Sequence, residues 1–147
     1  MEGKKERILF SADKINNRNK ELGEKISQDY EGKKLVVISL LRGSFIFAAD
    51  LVREITIPVE IDFMTTSSYG YGEQTTGIVE IISDINCDVK GKDVLIVDDI
   101  MDSGYTMQKA IEHIEKKNPN SVKTCVVLDK FSRREVDLQP DYAGFKI

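Results

Sequence analysis

The sequence predicts an α/β protein on a mainly parallel sheet, and three observations carry that reading. LVVISLL at 35–41 and VLIV at 94–97 are unbroken apolar runs rich in β-branched residues, the pattern of strands covered on both faces. Each breaks at a short turn, RGS after the first and DDIMDSG after the second. Each then enters a helical pattern, FIFAADLVREI at 45–55 in one case and Met107, Ala110, Ile111 and Ile114 at one-face spacing in the other. Strand, tight turn and helix make half of a βαβ unit.

The remaining elements follow in order. Ser11 is placed to cap a helix running to about Tyr30, with Ile15, Leu22 and Ile26 on one face. Pro58 precedes VEIDFMTTSSY, which alternates less cleanly and reads as a strand leading outward. SSYGYGEQTTG, 67–77, holds three glycines and no aliphatic residue, so it reads as a mobile loop, and GIVEIISDI, 77–85, returns as the second arm of a hairpin. A strand covers 94–99, and Asn118-Pro119 stops the helix that follows. VKTCVVLDK is the next strand and DYAGFKI the last.

A chain of 147 residues is most simply one domain, 1–147, large enough to bury a core. With 21 basic against 25 acidic residues and no basic run longer than two, a partner nucleic acid polymer is not expected. No run reaches the roughly 18 apolar residues of a membrane span, and the start, MEGKKERILF, lacks the apolar stretch of a signal peptide, so the chain reads as cytoplasmic with no membrane partner. Cys87 and Cys125 are too far apart for a CxxC motif, Cys125 reads as a core residue, and His113 reads as a solvated surface histidine.

The chemistry concentrates in VLIVDDIMDSGYTM, 94–107. Asp98 and Asp99 fall at the carboxyl end of a buried strand, where open α/β sheets bind ligands. Taken alone they are as readily a solvated pair as a site. Asp102 and the Ser103-Gly104-Tyr105-Thr106 run add the missing weight, because a glycine at a helix start admits close backbone approach and free N–H groups there suit an anion. Adjacent carboxylates accept from the two hydroxyls of a ribose, the helix start takes its 5′-phosphate, and Asp102 stands between them as a proton acceptor. An acidic protein that holds phosphate calls for a divalent cation.

The stretch resembles the ribose-phosphate signature of the type I phosphoribosyltransferases, and the rest of the chain narrows the resemblance to the hypoxanthine-guanine branch. LRGSFIFAADL resembles the family's pyrophosphate loop, with Arg42 where lysine is usual and Leu41, Arg42 and Gly43 as the pyrophosphate-binding residues. VEIDFMTTSSYGYG resembles the entry to the catalytic lid, with Ser68 and Tyr69 matching its Ser-Tyr pair. VVLDKFSRREVDLQPDYAGF resembles the strand whose lysine, here Lys130, meets the purine. Asp98 stands where glutamate is common.

The resemblance implies the type I fold, a central parallel sheet flanked by helices with a flexible hairpin lid. It implies magnesium-dependent purine salvage, the transfer of a 5-phosphoribosyl group from phosphoribosyl pyrophosphate to hypoxanthine or guanine, giving IMP or GMP. In that scheme Asp98 and Asp99 hold the ribose diol and, largely indirectly, Mg2+. Asp102 is the catalytic base, and Asp102, Ser103, Gly104, Tyr105 and Thr106 bind the 5′-phosphate. A cis peptide at Leu41–Arg42 and a homodimer or homotetramer are implied too. Family members continue past the position of Ile147 with a segment bringing an aromatic ring, an aspartate and an arginine, so an incomplete hood is expected. The rival reading is a weak or inactive nucleotide-binding regulator on the same fold. A phospho-acceptor receiver domain would have no use for the Ser-Gly-x-Thr seat, and a P-loop is excluded because no GxxxxGK[ST] occurs.

Overall fold

The computed structural model describes residues 11–69 and 78–147. Helix α1 (Ala12–Asp29) leads to β1 (Leu35–Leu41), α2 (Phe45–Arg53), the hairpin of β2 (Val59–Tyr69) and β3 (Ile78–Ser83), then β4 (Asp93–Met101), α3 (Tyr105–Glu115), β5 (Ser121–Asp129), a 3-10 turn (Phe131–Arg133) and β6 (Tyr142–Lys146). The six strands form one sheet in the order β3-β2-β1-β4-β5-β6. β2, β1, β4, β5 and β6 run parallel, and only β3 is antiparallel, to β2.

The two faces divide the core by the two-residue period of the strands. Leu35 and Val37 of β1 with Leu95 and Val97 of β4 pack under Leu22, Ile26, Phe47, Ala48 and Leu51 of α1 and α2. Val36, Ile38, Val94 and Ile96 turn the other way, onto Met107, Ala110 and Ile114 of α3. Val94 through Val97 are all fully buried, which is what an apolar run without alternation requires. Cys125 is buried among them, and Ser11 caps α1 by accepting from the Lys14 N–H at 3.2 Å.

Three expectations are corrected. β4 does not end at Asp99 but continues to Met101, because Ile100 and Met101 pair with Leu128 and Asp129 of β5. Residues 67–69 belong to β2, paired with β3, while the rest of the expected lid loop, 70–77, lies outside the described residues. His113 is not merely solvated: its Nε2 lies 2.9 Å from Asp84 Oδ1, and Lys117 Nζ is 2.9 Å from the other oxygen, so α3 is tied to the end of the β2–β3 hairpin.

Candidate active site

All the parallel strands point their carboxyl ends to one edge, where the described turns after β1, β4 and β5 gather. At β1 the chain turns through a cis peptide at Leu41–Arg42. The turn is anchored from below by Ser44, whose Oγ is 2.8 Å from Ser39 Oγ and donates to the Leu40 carbonyl, both serines being fully buried. Gly43 then lies so close to β4 that a Cβ on it would stand 2.7 Å from Asp99 Oδ2. Only glycine brings the 41–43 turn against the carboxylate in this way.

Asp98 and Asp99 are the sixth and seventh residues of the nine in β4, half-buried, each accepting one backbone N–H, from Asp99 and from Ile100, at 2.8 Å. Burial, and then the adjoining Asp99 carboxyl, push Asp98 well above the usual carboxylate range, with the charge of Asp102 adding to it. Among the described residues neither carboxylate has an ion-pair partner, and a cation or hydroxyl donors would relieve Asp98. Among the described residues no cluster of three or more His, Cys, Asp or Glu side chains forms a metal cage. A two-carboxylate donor set fits magnesium, which keeps waters and substrate oxygens as its other ligands.

Asp102 is exposed beyond the strand, and α3 begins at Tyr105 with Gly104 as its cap. Thr106 is therefore in the first turn of the helix, half-buried. Gly104 is needed for a reason the sequence did not disclose. Its φ is +95°, and a Cβ there would meet Val136 Cγ2 at 2.6 Å and Arg134 Cδ at 3.0 Å, so the glycine makes room for the segment returning from β5. Lys130 follows β5 directly, half-buried, and its backbone N–H donates to the Met101 carbonyl at 3.0 Å. Ser68 and Tyr69 pair through their backbones with Val79 and Ile78, three and four residues beyond the Thr65–Leu41 pairing of β2 with β1.

The sequence reading passed over Arg134. Its guanidinium reaches the carbonyls of Met101 and Asp102 and the buried Asp129 carboxylate. Nothing local in SRRE distinguishes Arg134 from the exposed Arg133 beside it, because its partners lie at the end of β4, on β5 and past the turn.

A mainly parallel sheet with acids and a glycine-capped helix start at one edge defines a nucleotide- or sugar-phosphate-binding α/β protein, and the phosphoribosyl transferase domain family matches residues 9–147. The hypoxanthine phosphoribosyltransferase of Haemophilus influenzae is 49% identical over 143 residues, covering 95% of this chain and 80% of that protein. The hypoxanthine-guanine phosphoribosyltransferase of Aquifex aeolicus is 44% identical over 146 residues, covering 99% of this chain and 82% of its own length. A crystal structure of a Staphylococcus aureus hypoxanthine phosphoribosyltransferase superposes with a TM-score of 0.90 at 40% identity, covering 95% of this chain and 76% of that one. The chain belongs to the hypoxanthine phosphoribosyltransferase family, and is an enzyme of the glycosyl transferase class. The rival reading, a nucleotide-binding regulator, is not favoured, since the matching relatives are enzymes.

Proposed function

We propose that this chain transfers the 5-phosphoribosyl group of phosphoribosyl pyrophosphate to N9 of hypoxanthine or guanine, giving IMP or GMP and pyrophosphate, with magnesium. The observation that carries the reading is the contact of Gly43 with Asp99, which sets a turn suited to pyrophosphate beside two carboxylates suited to a ribose diol. Asp98 and Asp99 accept from the ribose hydroxyls and so aim C1′ at the base. They would also hold magnesium, largely through water. When bound, magnesium neutralises the charge that builds on the departing pyrophosphate.

The other residues divide the work by position. Ser103, Gly104, Tyr105 and Thr106, with the Asp102 backbone, hold the 5′-phosphate at the start of α3. The exposed Asp102 carboxylate takes the N7 proton as N9 attacks. Leu41, Arg42 and Gly43 receive pyrophosphate, Ser68 and Tyr69 close over C1′ and exclude water, and Lys130 donates to the 6-oxo group of the purine. Adenine presents an amino group there and leaves a donor facing a donor, a mismatch of about 1 to 3 kcal/mol.

Self-association as a homodimer or homotetramer is supported by exposed apolar side chains on one face of the sheet, Phe45 and Ile46 of α2 with Ile61 and Phe63 of β2. The test of the function is pyrophosphate release with phosphoribosyl pyrophosphate, magnesium and each purine in turn. Turnover with hypoxanthine or guanine and none with adenine is expected. Turnover with adenine at the same rate would overturn the role of Lys130, and no turnover with any purine would overturn the reaction.

A further inference from the structure

Three successive carbonyls between β4 and α3 face the same way, and one side chain governs the first two. Arg134 is 6% exposed, and its guanidinium has five N–H donors in a rigid planar fork. All five are engaged. Nε donates to the Asp102 carbonyl at 2.9 Å. Nη2 donates to the Met101 carbonyl at 3.3 Å and to the Asp129 carboxylate, and Nη1 to the Leu138 carbonyl at 2.6 Å and Gln139 Oε1 at 3.2 Å. The third carbonyl, that of Ser103, accepts from the N–H groups of Glu135 at 2.9 Å and Val136 at 3.3 Å.

In a trans peptide the C=O and the following N–H point in opposite directions. A carbonyl of Asp102 held toward Arg134 therefore turns the Ser103 N–H away from it, and a Ser103 carbonyl held toward Glu135 and Val136 turns the Gly104 N–H the same way. Neither N–H meets an acceptor among the described residues. Both sit immediately before the first turn of α3, where an anion gains from the helix dipole as well.

We propose that Arg134 is a positioning residue for the 5′-phosphate: without touching the ligand, it holds the Asp102 carbonyl and so aims the Ser103 N–H into the seat. Through the Met101 carbonyl, which Arg134 shares with the Lys130 N–H, it also locks the phosphate loop and the purine lysine in one register. The inference rests on the seat assigned above to residues 103–106 and adds what orients it.

The test measures affinities for IMP and for magnesium pyrophosphate by calorimetry, in the parent and in two variants. Arg134→Lys keeps the charge beside Asp129 but lacks the fork. Asp129→Asn with Arg134→Gln replaces the ion pair by a neutral one, so that no buried carboxylate is stranded. Affinity for IMP should fall roughly 10- to 100-fold in both, the effect of one misdirected donor to a charged group, while pyrophosphate, which the 41–43 turn receives, binds as in the parent. Folded variants that bind IMP within about twofold of the parent, or lose both ligands equally, would overturn the proposal. Failure of both variants to fold would make Arg134 a folding residue only, with the same consequence. A parent that binds no IMP would overturn the seat itself.

Discussion

Asp62 and Asp98 lie on the same face of the sheet, on β2 and β4 with β1 between them, yet their surroundings are opposite. Asp62 is 8% exposed and accepts three backbone N–H groups, from Phe63 at 2.8 Å, Asn86 at 2.7 Å and Cys87 at 2.8 Å. Burial pushes its carboxyl up, but those donors outweigh it, and the group lies below its usual range. Asp98 has one backbone donor and, beside it, another carboxyl, and lies well above. A buried carboxylate fully served by the chain's own donors is a structural fastener, here pinning the 86–87 turn to β2. A buried carboxylate beside a second carboxylate, with one backbone donor among the described residues, has unmet demand for donors or positive charge. That distinction, drawn from partners and not from burial, separates the anchor from the candidate site.

The comparison can be broken at either end. The largest effect is expected at Asp102, the exposed acid of the site. Asp102→Asn keeps its shape and removes its basicity, so turnover should fall about 10² to 10⁴-fold while phosphoribosyl pyrophosphate still binds. Steady-state rates together with calorimetry decide, and an undiminished rate would remove the base from this position.

Asp62→Ala should act on the fold instead. Three N–H groups lose their acceptor, and a loss of about 2 to 4 kcal/mol in urea unfolding is expected, with affinity for IMP in the folded fraction unchanged. A stable variant with weakened IMP binding would invert the assignment.

Asp98→Asn should reverse that pattern. It removes a charge its neighbours oppose, so stability at neutral pH should hold or rise. Losing a charged acceptor for the ribose should weaken IMP binding roughly 10-fold. Unfolding and binding measured on one preparation test both halves.

The smallest effect is on pH dependence. Asp62 titrates below the usual range in the folded chain, so its contribution is present above the unfolded carboxyl value and is lost as pH falls through the folded one. Asp98 titrates above that range, so its contribution is present in full below the unfolded value and is lost as pH rises through the folded one. Thermal unfolding in metal-free buffer should therefore lose part of its acid-side decline in Asp62→Asn, and decline less as pH rises above the usual carboxyl range in Asp98→Asn.

The sequence by itself determined the elements and the order of the site along the chain. A strand buried on both faces must be apolar throughout, so 35–41 and 94–97 announced themselves, and the one-face spacing of Met107, Ala110 and Ile114 marked α3. The Asp98-Asp99 pair and the glycine-capped helix start were legible because each depends on neighbours within a few residues. What only the tertiary structure decided depends on partners distant in sequence. β4 runs to Met101 because β5 offers a ladder there, and Gly43 must be glycine because Asp99 lies 56 positions away yet in contact. Gly104 makes room for Val136, and His113 pairs with Asp84 across 29 residues. Arg134 is a surface-looking residue in sequence, and becomes the hub of five acceptors only when the segment after β5 folds back over β4. Local periodicity reports which face is buried, whereas the identity of the groups that meet across the sheet is written in no single stretch of the chain.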